Sequence, residues 1–276
     1  MPGSRWSHDM AIAEKPCMSS LRITLIGGPT ALIEFGGFRL LTDPTFDAPG
    51  EYRLPHVTLK KTSYPAIAAD AIGLVDAVLL SHDQHSDNLD NSGRAFLAKV
   101  ARVLTTAAGA KRLGGRTEGL APWETRALAK PNGSSLQVTA TPARHGPAGI
   151  EPLSGEVIGF VLACQDRQSR PIYITGDTVW YSGVDEVARR FRAAVVLLFA
   201  GAARTRGPFH LTMDTNDAIE TAHAFPDATI IPLHCEGWAH FTQDRDDLET
   251  SFNALGFGSR LQLLEAGVPT AILPRS

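Results

Sequence analysis

Ala77-Val-Leu-Leu80 followed by Ser81-His82-Asp83-Gln84-His85-Ser86-Asp87-Asn88 is a run short and apolar enough for a buried strand, and it stops at a loop carrying two histidines and two aspartates. The arrangement recurs along the chain. Leu136 to Thr141 runs into Pro142-Ala143-Arg144-His145, Pro171 to Thr175 stops at Gly176-Asp177-Thr178, and Ala228 to Leu233 stops at His234. Four strand-like runs thus each deliver an imidazole or a carboxylate just past the C-terminal end, which is where open sheets place their sites. Neutral imidazoles and carboxylates are good donors to zinc, iron or manganese, and a carboxylate set between two ions can hold both. Gathered without a cation, these groups would leave buried charge uncompensated at a cost of several kcal/mol. The set therefore reads as a metal site.

Outward from these strand ends, the pattern is that of one domain. Leu21 to Ile26, Thr30 to Phe35 and Phe38 to Thr42 are β-like runs separated by Gly27-Gly28-Pro29 and Gly36-Gly37, which predicts hairpins. Helices are predicted over Gly93 to Val100 with Asp90 as N-cap, over Thr215 to Ala224 after Asp214, and over Arg245 to Ala254. Residues 1–19 mix Pro, Gly, Ser and charge without a period and are read as a mobile arm before a single domain over 20–276, with sheets covered by helices.

Composition narrows the function. The 276 residues are 43% hydrophobic and 20% charged, which excludes disordered, collagen-like and coiled-coil chains. A net charge of -3 without a basic run argues against a nucleic-acid partner. No stretch approaches the ~20 apolar residues of a membrane helix, and the N-terminus lacks the apolar core of a signal peptide. Cys17, Cys164 and Cys235 lie far apart without C-x-x-C spacing, so neither a disulfide framework nor a thiolate zinc site is expected, and a reducing cytoplasm fits.

Ile26 to Pro44, Leu80-Ser81-His82, Arg144-His145-Gly146, Thr175-Gly176-Asp177-Thr178 and Leu233-His234, in this order, resemble the metallo-β-lactamase superfamily. Within it, the chain is most similar to the ascorbate-6-phosphate lactonase-like metal-dependent hydrolases. The resemblance implies an α/β fold, a four-layer αββα sandwich with one or two divalent ions at the edge between the sheets. Zinc or manganese is usual there, and iron and nickel suit the same donors. The family signature, His-x-His-x-Asp-His, is altered here. Read back from Leu89-Asp90, His85 and Asp87 match, Asn88 replaces the last histidine, and His82 lies one residue early, as a one-residue lengthening of the loop would give. On that register the resemblance implies that His82, His85 and His145 hold one ion, Asp87 and His234 hold the other, and Asp177 bridges. Asn88 is a weaker ligand than histidine, which loosens the second position.

The chemistry implied is hydrolysis by a metal-activated water, since a bound zinc lowers the pKa of its water to about 7 and polarises an acyl or phosphoryl oxygen. Asp87 is the candidate to orient that water or pass its proton, and His210, which follows the apolar run Val195 to Phe199, is a second catalytic candidate. Arg144 is a candidate to bind an anionic group, and Trp180 and Trp238, with Tyr181 and His240, are candidate pocket walls. Asp43, in Thr42-Asp43-Pro44, reads as a turn-former by itself, and the resemblance makes it a support for the metal site. Cys235 reads as a small buried residue. The expected substrate is a small ester or lactone, anionic ones included. The alternatives are a phosphodiesterase on a small or lipid-like substrate, and a metal-binding scaffold with reduced catalysis. The resemblance also implies a homo-oligomer.

Overall fold

The computed structural model describes residues 21–165, 169–273 and 275, so the arm expected over residues 1–19 lies outside the described residues. The chain opens as predicted with antiparallel β1 (Arg22–Gly27), β2 (Thr30–Phe35) and β3 (Phe38–Thr42). The two-residue loop Gly36-Gly37 between β2 and β3 has φ of 57° and 78°, left-handed values that a tight hairpin turn demands and that glycine adopts without steric cost. A separate hairpin follows, β4 (Gly50–Arg53) and β5 (Thr58–Lys61).

Next come β6 (Ala77–Leu79), α1 (Asn91–Leu97), β7 (Val103–Thr106), α2 (Ala107–Leu113) and β8 (Thr117–Leu120). They extend the opening strands into a seven-stranded sheet of order β15-β1-β2-β3-β6-β7-β8, where β15 is Thr270–Ala271. The second half of the chain supplies β9 (Thr125–Ala129), β10 (Ser135–Pro142), α3 (Glu151–Ser154), β11 (Ile158–Cys164) and β12 (Ile172–Ile174). It continues with α4 (Ser182–Arg190), β13 (Val195–Phe199), α5 (Thr215–Ala224), β14 (Thr229–Leu233) and α6 (Arg245–Ala254). Its strands form a six-stranded sheet of order β14-β13-β12-β11-β10-β9.

The two sheets face each other over a core in which Ile23, Ile33 and Leu79 from one meet Phe160, Leu197 and Leu233 from the other. The outer face of the second sheet is covered by α4, α5 and α6, whose Val184, Ala218 and Phe252 bury against Val196 and Ile230. The first sheet is covered by α1 through Phe96, which packs with Val78 and Leu80. This is the four-layer αββα sandwich in a single domain. At ~25 cal/mol per Å² of apolar surface, burial on three such interfaces is the main favourable term in its stability.

Asp90 ties the irregular parts of the first sheet together. Its carboxylate caps α1 through the Gly93 N–H at 2.8 Å and also accepts from the Phe46 N–H at 2.9 Å, the Asp47 N–H at 2.7 Å and Lys61 Nζ at 3.0 Å. Lys61, at the end of β5, is itself buried, so one carboxylate holds the β4–β5 hairpin to the helix. Gly93 is required beside it, because a Cβ there would lie 1.8 Å from the Pro44 carbonyl oxygen. One expectation on cysteine is corrected: Cys164 is disulfide-bonded, whereas Cys235 is a buried free thiol.

Asp90→Ala is expected to lower the unfolding free energy by about 3–5 kcal/mol, the usual loss when one partner of a buried ion pair is removed. Urea denaturation followed by tryptophan fluorescence measures this, and a loss under about 1 kcal/mol, the range of an exposed pair, would show that the cluster carries no such load.

Candidate metal centre

In the second sheet β10 is antiparallel to β11 and β11 to β12, while β12, β13 and β14 run parallel. Therefore β10, β12, β13 and β14 all end at one edge. In the first sheet β3, β6, β7 and β8 are parallel. Two hydrogen bonds join the sheets at these ends, Ile158 N–H to Ser81 O at 3.2 Å and His234 N–H to Gly28 O at 2.9 Å. The histidines and aspartates delivered by β6, β10, β12 and β14, read separately along the sequence, consequently meet.

They meet as two trios, His82, His85 and His145, and Asp87, Asp177 and His234, in each of which one donor atom per residue lies within 4.8 Å of the others. In the first trio His85 Nδ1 is 2.9 Å from His82 Nε2 and 3.1 Å from His145 Nε2. His82 Nδ1 donates to Ser81 Oγ at 2.9 Å, and His145 Nδ1 donates to the Leu211 carbonyl at 2.7 Å. Both Nε2 atoms of the neutral rings are then lone pairs, aimed with His85 Nδ1 at one point. Asp177 spans the two trios, with Oδ2 3.6 Å from His145 Nε2 and Oδ1 3.5 Å from His234 Nε2. It is fully buried, and neither of its carboxylate oxygens has a hydrogen-bond partner among the described residues. Converging lone pairs around a buried carboxylate without a hydrogen-bond partner among the described residues fit one or two divalent cations.

Titration follows the same electrostatics. Burial, with repulsion from the neighbouring imidazoles, lowers His82 well below the usual range and takes His85 to about 4. Burial alone would lower His234 too, but Asp177 and Asp87 outweigh it and raise this imidazole to about 10. Burial alone would raise Asp87 and Asp177, but the imidazoles around them hold both carboxyls below the usual range. In the metal-free chain an imidazolium at His234 thus stands where a cation is called for.

The supporting layer begins with Asp43, whose Oδ1 accepts from the Ser81 N–H at 2.8 Å and the Ser81 hydroxyl at 2.7 Å. Ser81 in turn holds the His82 ring, so Asp43 is more than the turn-former its Thr-Asp-Pro setting suggests. Asp43 and His234 have φ of 28° and 54°, backbone strain that β-strand ends around sites often carry. His240, expected as a pocket wall, places Nε2 3.0 Å from Asp87 Oδ2. Asn88 is fully buried with both amide atoms unpartnered.

A cavity of about 20 Å³, roughly room for one water, lies over His85, Asp87 and His145 beneath Leu54, Val57 and Leu59 of the β4–β5 hairpin. Arg206 is its charged wall. Nothing in Thr205-Arg206-Gly207 marks this residue in the sequence, since only the folding of the loop after β13 brings it to the cavity.

The chain matches the beta-lactamase superfamily domain over residues 38–235. The chain belongs to the beta-lactamase superfamily. Among relatives of this superfamily chain, the UPF0173 protein YddR of Bacillus subtilis is 26% identical over 256 residues, covering 90% of this chain and 98% of the relative. A UPF0173 metal-dependent hydrolase of Pelotomaculum thermopropionicum is 26% identical over 244 residues, covering 85% and 92%. Of solved structures, the isothiocyanate hydrolase from Delia radicum gut bacteria superimposes with a TM-score of 0.77 at 24% identity, over 91% of this chain and 99% of that one.

Four expected site residues are not brought to this superfamily centre. His210 is engaged by Asp214, 2.8 Å from its Nδ1, and by Arg204 at Nε2, and it does not line the cavity. The Arg144 guanidinium stacks 4.5 Å from the centroid of the Tyr181 ring and donates to Gly146 O, beside a different cavity of about 370 Å³ on the Leu120–Pro122 and Val157 side of His145. Trp180 packs on the α4–α5 layer, and its backbone N–H donates to Asp217. Trp238 is buried under the hairpin, 5.4 Å from Tyr52, as packing. In each case packing or another group in the fold, and not the centre, engages the residue. Cys235 is the buried residue expected, its thiol raised to about 12 by burial.

Stability of the chelator-treated protein should rise with pH between about 4 and 6.5, because the unfolded chain protonates His85 near 6.5 and the folded one only near 4. Thermal denaturation across that window tests this, and a flat profile would contradict it. At pH 7.5, zinc added to the stripped protein should release about one proton per chain from His234, read as a buffer-dependent enthalpy in calorimetry.

Proposed function

We propose that the chain is a metal-dependent hydrolase that binds one or two divalent ions, zinc foremost, and acts on a small ester or lactone. The observation that carries this is Asp177, buried and unpartnered between two trios of donors at a shared sheet edge. His82, His85 and His145 would hold one ion, Asp87 and His234 the other, and Asp177 would bridge them. When bound, such ions supply Lewis acidity that activates water and polarises a carbonyl oxygen.

The chain's own residues do the rest. Asp87, at the boundary of the centre and the cavity, orients water for attack and carries its proton toward the leaving group. The hairpin residues Leu54, Val57 and Leu59 keep bulk water away, which strengthens each electrostatic contact inside. A substrate displaces this cover on entry, because the closed cavity has room for little more than a water. Arg206 replaces Arg144 as the anchor for an anionic group on the substrate.

Two zinc ions per chain are expected by mass spectrometry of the loaded protein. His145→Ala and Asp177→Ala should each lose at least one ion and about 10³-fold in turnover of esters or lactones. Full metal retention and activity in both variants would sink the reading. A panel containing phosphodiesters separates the alternative substrate class, and two ions with no turnover on any member would favour a metal-binding scaffold.

A further inference from the structure

We infer that His240 belongs to the second metal position, where its ring N–H braces the Asp87 carboxylate. The inference rests on the reading of Asp87, Asp177 and His234 as that position. Asp87 Oδ2 is the oxygen directed at His234, 3.6 Å from its Nε2, and the same oxygen accepts from His240 Nε2 at 3.0 Å. The other ring nitrogen, Nδ1, is buried and has no partner among the described residues.

The ring is held where it is. The neighbouring Ala239 N–H donates to Lys60 O at 3.0 Å on β5, and the His240 carbonyl accepts from the Arg204 N–H at 3.1 Å. Phe241 packs against the imidazole with ring centroids 4.6 Å apart, and the side chain is only 8% exposed. A donor locked from both sides fixes the carboxylate it touches. Asn88, next to Asp87 in sequence, makes no such contact, because both of its amide atoms are unpartnered. His240 stands outside the mutual spacing of the trio and reaches it through Asp87, which makes it a positioning residue and not a ligand. Ligating carboxylates depend on such hydrogen bonds, and losing one weakens metal binding by about 10- to 100-fold.

The test is competitive zinc titration of the chelator-stripped full-length protein against a chromophoric chelator, with ions per chain counted by mass spectrometry. His240→Phe keeps the aromatic packing and removes the donor. It should bind the second zinc about 10- to 100-fold more weakly and the first with unchanged affinity. His240→Gln, whose amide N–H can reach the same oxygen, should recover at least about tenfold of the loss. A second-ion affinity in His240→Phe within about threefold of the unmodified protein overturns the assignment, as does a His240→Gln variant no better than His240→Phe. Wild-type protein that takes up no zinc overturns the metal centre itself. A single ion per wild-type chain, held equally well by His240→Phe, overturns only the role of His240.

Discussion

Asp177 lies fully buried with no hydrogen bond to either carboxylate oxygen among the described residues, and an ionised carboxylate in that setting persists only beside positive charge. Much of the surrounding architecture serves that requirement. Two imidazoles of one trio, His82 and His145, face one of its oxygens, His234 faces the other, and a second carboxylate, Asp87, adds negative charge to the same spot. In the metal-free chain a protonated His234 supplies the compensation. A divalent ion supplies more of it, and does so without needing a proton, which is why the donor set and its electrostatics point in the same direction.

Holding such a cluster together requires rigid supports, since the strand ends that carry it repel one another once their charges are bare. The supports are hydrogen bonds to groups with little freedom. Asp43 grips Ser81, Ser81 fixes the tautomer of His82, the Leu211 carbonyl fixes that of His145, and Gly28 receives the backbone N–H of His234. The hairpin that roofs the centre is anchored separately, through Lys61 on Asp90. Cover and centre also share a tie, since Lys60 O on β5 accepts from the Ala239 N–H next to His240, whose ring reaches Asp87.

A good part of this was legible in the sequence. The periodicities placed the opening hairpins, the helices Thr215–Ala224 and Arg245–Ala254, and the strands preceding each donor, because alternation and capping are local properties of the chain. The altered signature was also readable: aligned from Asp90 backward, it puts His82 and His85 with His145, and Asp87 with His234, the groupings seen in three dimensions. Less local features were not. The β4–β5 hairpin was missed because Gly50–Lys61 has neither a strong apolar alternation nor a glycine turn at its tip. His210, Trp180 and Trp238 seemed free to serve the site only because their surroundings, Asp214, the α4–α5 layer and Tyr52, are selected by folding.

The sequence by itself determined the strands and the imidazoles and carboxylates that follow them, since a strand's period and the residue types after it are written consecutively, and its resemblance to the superfamily implied the αββα fold. Only the tertiary structure decided which atoms of those donors converge, that Arg206 and not Arg144 faces the cavity, that His240 reaches Asp87, and that Asp177 has no other partner. The physical reason is range. Periodicity and capping act over a few residues, whereas compensation of a buried charge depends on every group within several ångströms, and these come from loops more than a hundred residues apart, as Asp87 and His240 do.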